Sequence, residues 1–233
     1  MSVFRFKQFE VDQQACAMRI NTDGVLLAAI AGHTAPKQIL DIGTGTGVMA
    51  LMLAQRFSQA QVYAIDIESD AAQTAEKNFR QSPFHARLSA EAVSIENYVS
   101  NKKFDLIVSN PPYFVGDLPS VAEKKGIARH ATPLFFDILM QKVGSLLHPD
   151  GVFWFILPLK QAQGLVQRAA QQNFSVTKYI YLHSDSSKPP FRAIVALQRC
   201  PESSAEEHFY IYESEKVYTA AYKTLLKDFF LGY

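Results

Sequence analysis

The chain has 233 residues and a mass of 26.1 kDa, enough for one domain with short extensions at roughly 100–200 residues per domain. Hydrophobic residues make up 48% and charged residues 19%, a globular balance that excludes a disordered or collagen-like chain. The 23 Lys and Arg against 22 Asp and Glu leave a net charge of +1, which excludes a strongly basic nucleic-acid coat protein but not a local basic face.

Two cysteines, Cys16 and Cys200, show neither CxxC spacing nor a nearby histidine pair. We therefore expect no metal site, no disulfide scaffold and a reducing compartment. Residues 1–8 carry charges where a signal peptide needs apolar side chains. The apolar runs 25–31 and 152–159 fall short of the roughly 18 residues of a membrane span. A soluble, cytoplasmic, monomeric protein with no membrane partner is expected.

In chain order, residues 3–11 alternate like a strand, and an apolar helical segment begins at Thr22. Strands are predicted at 39–42, 62–67, 86–92, 104–108, 152–157, 176–183 and 193–199. Helices are predicted at 48–57, 69–80 (with Ser69 as N-cap), 134–147 and 161–172. His148-Pro149-Asp150-Gly151 reads as a turn by composition. At the C-terminus, residues 218–230 place Tyr218, Tyr222, Leu225 and Phe229 on one helical face and Lys216, Lys223 and Lys227 on the other. That pattern fits a docked helix with a solvated lysine face, or a stripe facing nucleic acid.

Strands alternating with helices imply an α/β fold with a doubly wound, Rossmann-like, mostly parallel sheet. The short 184–190 connection implies a hairpin, hence an antiparallel last strand. Residues 1–35 are expected to form an N-terminal β/helix extension covering the ligand crevice of the sheet, and 36–233 the main domain with its C-terminal helix.

Asp41-Ile42-Gly43-Thr44-Gly45-Thr46-Gly47 lies where the first core strand turns into a helix, the place where open α/β sheets bind ligands. Val48 stands where G-x-G-x-x-G needs its third glycine, and no phosphate-loop motif occurs. An Asp before the loop suits a ligand ammonium, such as that of S-adenosylmethionine, better than a pyrophosphate. Asp66 ends the next strand about 20 residues on, positioned to hold ribose hydroxyls.

Asn110-Pro111-Pro112-Tyr113 closes a further strand. An exocyclic amine on an aromatic ring is a poor nucleophile, because its lone pair is delocalised. The Asn110 side-chain oxygen and the Pro111 carbonyl can accept its two N–H groups and stabilise the charge that develops during transfer. The prolines stiffen the loop, and Tyr113 offers a ring for an extruded base.

The DxGxGxG loop and NPPY together resemble class I S-adenosylmethionine-dependent methyltransferases that modify amino nitrogens. Phe6-Lys7-Gln8-Phe9, Cys16-Ala17-Met18, Thr22-Asp23-Gly24 with Leu26-Leu27, Ala128-Arg129-His130 and the stretch from Tyr218-Thr219 to Phe230 resemble, more narrowly, bacterial tRNA adenine-N6 methyltransferases acting on adenine-37 of valine tRNA. The resemblance implies S-adenosylmethionine at Thr22, Asp41, Gly43, Thr44, Gly45, Gly47, Asp66, Glu91 and Asn110. It implies catalysis at Asn110, Pro111, Pro112 and Tyr113. Asn21 stands where such sequences often carry glycine, and Glu91 stands in place of an Asp for the cofactor adenine.

A tRNA anticodon loop is the expected partner. Tyr113 and Phe114 would stack on its bases, while Lys124, Lys125 and Arg129 contact its phosphates. Such binding should weaken steeply with salt. The alternatives are N5-glutamine methylation of a release factor, DNA adenine methylation, and a methyltransferase-like RNA-binding module without catalysis.

Overall fold

The computed structural model describes residues 3–14, 19–112, 133–200 and 203–232. The chain opens with a hairpin of β1 (Val3–Arg5) and β2 (Glu10–Asp12), followed by α1 (Thr22–Ile30). The core then runs β3 (Gln38–Ile42), α2 (Val48–Arg56), β4 (Gln61–Asp66), α3 (Ser69–Gln81), a 3₁₀ turn (His85–Arg87), β5 (Leu88–Ala92), β6 (Phe104–Ser109) and α4 (Pro133–Leu146). It continues through β7 (Leu147–Leu157), α5 (Leu159–Gln171), β8 (Ser175–His183), β9 (Arg192–Gln198) and β10 (Ala205–Tyr210). A small hairpin, β11 (Tyr212–Ser214) and β12 (Val217–Tyr218), leads to α6 (Ala220–Leu226).

Eight strands form one sheet in the order β10-β8-β9-β7-β6-β3-β4-β5. From β7 to β5 every neighbour is parallel, as right-handed β-helix-β crossovers require. The expected antiparallel strand is β9, paired with both β7 and β8. It sits inside the sheet, between β7 and β8, and the unpredicted strand β10 adds in parallel beyond β8.

The strand side chains alternate between two cores. Ile39, Val62, Val108 and Ile156 face one core with α1, α2, α3 and α6, while Leu40, Ile65, Ile107 and Phe155 face the other with α4 and α5. Helix α1 is apolar on nearly every side and buried from Gly24 to Ala29, as a helix inside a core must be.

Three local expectations change. Ser69 is the first helical residue and its Oγ pairs with Gln73 Nε2 at 2.9 Å, so the cap position is Glu68, which makes no side-chain cap. Residues 148–151 belong to β7 at a register shift between Phe104 and Leu106. Gly151 is required there, since a Cβ would stand 2.9 Å from the Phe104 carbonyl oxygen. The C-terminal helix spans only Ala220–Leu226, capped by Thr219, whose Oγ1 accepts from the Tyr222 amide at 3.1 Å. Tyr218 lies in β12, and Leu226, fully buried, anchors the helix instead.

The two ends of the chain meet over α2. The Lys7 amide donates to the Phe229 carbonyl at 2.8 Å, Phe6 lies 5.6 Å from the Phe230 ring, and Gln55 Nε2 donates to the Asp228 carbonyl at 2.9 Å.

Candidate functional site

Three strand ends build the crevice: β3, β4 and β6 lie side by side and run the same way. After β3 the chain takes three left-handed steps, at Gly43 (φ +76°), Gly45 (φ +56°) and Gly47 (φ +82°). Side chains other than glycine rarely adopt these angles. Gly47 is also a packing requirement, because a Cβ there would sit 2.6 Å from the Phe79 ring. Gly43 differs: a Cβ there would meet nothing within 4 Å. That space is open to a ligand.

The loop spends its amides internally. Those of Gly43 and Thr44 donate to the Ile65 carbonyl at 2.9 and 3.0 Å, that of Gly45 to Asp66 Oδ2 at 2.8 Å, and that of Gly47 to the Thr44 carbonyl at 2.9 Å. A phosphate cradle needs such N–H groups free. With two carboxylates beneath and beside it, the loop suits a cationic ligand.

Asp41 lies fully buried under the loop, where its Oδ2 accepts the Thr44 hydroxyl at 2.7 Å. Its Oδ1 has no hydrogen-bond partner among the described residues. Burial pushes this carboxyl up to about 7; the Thr44 hydrogen bond opposes the shift and the neighbouring Asp66 adds to it. Asp66, partly buried, is also raised by burial, although the amides of Glu68 and Gly45 hold it down. Beside it Ile67 stays 45% exposed, an apolar side chain left open at the mouth of the crevice. Sequence reading missed Ile67, and its signal was a branched apolar residue directly after a strand-end carboxylate.

Asn110 and the prolines are placed by a clamp. Ile42 and Ser109 are register partners, and the buried Ser109 Oγ donates to the Ile42 carbonyl at 2.9 Å. Asn110 thus leaves β6 one strand step, about 4.8 Å, from Gly43. Asn110 is half-buried, Pro111 buried and Pro112 exposed. Tyr113, Phe114, Lys124, Lys125 and Arg129 lie outside the described residues. Glu91 is exposed at the end of the edge strand β5, on the face of Tyr98.

The N-terminal extension is fastened to this loop by one buried side chain. Asn78 of α3 donates to the Asp12 and Thr46 carbonyls, both at 2.9 Å, and its Oδ1 accepts the Asp12 amide at 2.9 Å. Asn21 caps α1 by accepting the Gly24 amide at 2.9 Å with φ −130°, so no glycine is needed there. Thr22 is exposed in the first turn of α1. Asp23, one residue on, pairs with Arg192 of β9 at 2.8 Å.

Residues 17–162 match the methyltransferase small domain family. A tRNA1(Val) (adenine(37)-N6)-methyltransferase of Pedobacter heparinus is 53% identical over 232 residues, covering 100% of this chain and 99% of that one. One of Vibrio cholerae serotype O1 is 38% identical over 98% of this chain and 95% of that one. Among solved structures, a predicted O-methyltransferase from Agrobacterium tumefaciens aligns with a TM-score of 0.71 over 89% of this chain and 96% of that one, at 14% identity. A glycopeptide N-methyltransferase complexed with S-adenosyl-L-methionine aligns with a TM-score of 0.59 over 78% and 100%, at 12% identity.

Proposed function

The chain belongs to the methyltransferase small domain family, and we propose that it methylates the N6 amine of adenine-37 in valine tRNA with S-adenosylmethionine as donor. The observation that carries this reading is the Ser109–Ile42 clamp. It sets Asn110 and Pro111, two acceptors suited to an aromatic amine, beside a glycine loop whose charge suits a sulfonium amino acid. The full-length similarity to enzymes named for that reaction supports the substrate.

The residues present fit the cofactor. The open space over Gly43 admits it. Asp66 takes the ribose hydroxyls with the lone pairs that its two amide contacts leave free. Ile67 gives the purine ring an apolar wall, with Glu91 at the adenine end. Asp41, buried beneath the loop, favours the ammonium by its charge, acting through Thr44, while Gly45 and Gly47 shape the loop. Thr22 and α1 cover the methionine end, held there by Asn78 and by the Asp23–Arg192 pair. When bound, the cofactor supplies an electrophilic methyl group on sulfur.

Asn110 Oδ1 and the Pro111 carbonyl accept the two N–H groups of the target amine, draw it toward pyramidal geometry and stabilise its developing positive charge. Pro112 stiffens the acceptor loop. Tyr113 and Phe114 stack on the extruded base, and Lys124, Lys125 and Arg129 meet phosphates. No strong base is needed, because the proton leaves after transfer. The enzyme works as a cytoplasmic monomer. Among the described residues no helix is long and apolar enough to cross a membrane.

The test is methyl transfer from labelled S-adenosylmethionine to unmodified tRNA, with nucleoside analysis of the product. N6-methyladenosine formed by the wild type and not by Asn110→Ala is the expected result. Label in a release-factor glutamine or in duplex DNA instead would keep the amine chemistry and discard the substrate.

A further inference from the structure

Beyond residue 162, where the family match ends, the sheet carries a feature that the proposed reaction leaves unused. Strand β8 presents Tyr179, Tyr181 and His183 on one face, and β10 sets Glu206, His208 and Tyr210 opposite them in register. This is the face that α4 and α5 cover elsewhere. At β10 the packed helix is α6, which belongs to the opposite core. His208 is accordingly exposed, and Tyr181 and Tyr210 remain half-buried.

The rings form a ladder. Tyr181 stacks on His208 with centroids 5.0 Å apart and planes 20° apart, and His183 stacks on Tyr210 at 4.7 Å and 29°. The planes of His208 and Tyr210 differ by only 17°.

Hydrogen bonds lock the pair of imidazoles. The Lys188 carbonyl lies 2.9 Å from His183 Nδ1, and a carbonyl can only accept, so Nδ1 carries the proton. In the neutral ring His183 Nε2 is then an acceptor, and His208 Nδ1 donates to it across 2.8 Å. If the His208 ring is neutral as well, its Nε2 is left as an acceptor, with no hydrogen-bond partner among the described residues.

We infer that this ladder is a stacking platform for unpaired nucleobases of the RNA substrate that flank the methylated one, an inference that rests on the tRNA reading above. Flat aromatic surfaces fixed on adjacent strands and open to solvent are how protein sheets hold unstacked bases. Strands β8 and β10 run parallel to β6, so the ladder's outer end opens on the same edge of the sheet as Asn110. Three strand steps separate β6 from β8 and four separate it from β10, roughly 14 and 19 Å. That is too far to hold the target amine and suits neighbouring nucleotides.

Two cations stand at the ladder's outer end, where a phosphate backbone would pass: Lys188, and Arg192, which is in register with Leu182 and paired with Asp23. Lys178 and Arg199 lie toward the opposite end of β8 and β9. The Lys188 side chain is 63% exposed beside His183, with Asp185 at 3.1 Å. Of the two carboxylates on β10, Glu207 is paired with Lys178 at 2.8 Å and Glu206 stands at the far end, opposite Tyr179.

The experiment measures binding of an unmodified anticodon stem-loop carrying 2-aminopurine at each unpaired position in turn, together with steady-state methylation of the tRNA. Tyr210→Leu keeps the bulk and loses the stacking face, His208→Ala removes a ring and an acceptor, and Tyr210→Phe keeps the ring. The expected result is a roughly ten-fold weaker Kd and higher KM for RNA in the first two. One 2-aminopurine signal should be lost, while kcat and cofactor affinity stay within about two-fold and Tyr210→Phe behaves as wild type. Unchanged Kd and KM for RNA in both variants would overturn the platform, as would a fall in kcat at unchanged KM. A changed solution mass at unchanged RNA affinity would give the face to a second copy of the chain. Stem-loop binding needs no turnover, so it decides the platform even where the wild type fails to methylate tRNA and the substrate reading falls.

Discussion

The crevice at β3, β4 and β6 and the outer edge at β8 and β10 treat polar groups in opposite ways. In the crevice Asp41 is fully buried with one oxygen unanswered and its carboxyl pushed up to about 7, and Asp66 is raised as well. At the edge both nitrogens of His183 are answered, and the Tyr179 hydroxyl is the exception, buried without a partner among the described residues and pushed up to about 12. Uncompensated buried charge costs free energy, so the crevice holds a strain that a cationic ligand relieves. Apart from that hydroxyl the edge is internally settled, and what remains to be used are the ring faces that its stacked pairs leave uncovered. On the proposed readings, one region is completed by its ligand and the other is read from outside.

The largest expected effect breaks the crevice side of this contrast. Asn110→Ala should lower kcat by about 10²–10³-fold or more, as loss of a transition-state hydrogen-bonding group does. Cofactor affinity should stay within a few-fold, checked by calorimetric titration. Full activity in that variant would remove Asn110 from catalysis.

The glycines separate packing from ligand space. Gly47→Ala drives a Cβ into Phe79 at a left-handed φ and should cost about 2–4 kcal/mol in urea unfolding. Gly43→Ala faces only the left-handed penalty, about 1–2 kcal/mol, but should weaken cofactor binding by about ten-fold or more, equivalent to about 1.4 kcal/mol. Equal stability losses at both positions, with cofactor binding intact, would contradict an open ligand space over Gly43.

Asn78→Ala strips donors from two carbonyls and an acceptor from the Asp12 amide. A loss of about 1–3 kcal/mol follows, with earlier protease cleavage of the N-terminal hairpin as the local readout.

The pH response sharpens the contrast with a smaller signal. Asp41 is ordinarily half-protonated near 3.8 and in the fold near 7. Between those values the native state binds more protons than the unfolded one, so Asp41 subtracts stability as pH rises from about 4 to 7. Asp41→Asn should flatten that slope. Ionised Asp41 favours the ligand ammonium, so cofactor affinity should rise as pH increases through about 7. A pH-independent affinity across that range would show that Asp41 does not act on the ligand.

The motifs were legible because their information is local. Strand, glycine loop and helix follow one another within residues 38–56, and a left-handed φ is a property of one residue. The strands with continuous apolar, β-branched runs, such as β6 and β9, were equally readable. Strand β10 was not: Ala-Glu-Glu-His-Phe-Tyr lies on the sheet's edge, four of its six residues are exposed, and it carries no alternation to detect. The 148–151 segment has turn composition yet serves in β7, because pairing with β6 absorbs the extra residues at a register shift.

By itself, then, the sequence determined the alternating elements, the loop with its carboxylates and the acceptor pair after β6, since periodicity, glycine and proline act within a few bonds. Only the tertiary structure decided that Ser109 clamps Asn110 beside Gly43, that Asn78 fastens the N-terminal hairpin to the loop, and that β10 completes an aromatic ladder with β8. Those arrangements join residues 27 to 67 positions apart. Their formation depends on how whole layers pack, which no local preference encodes.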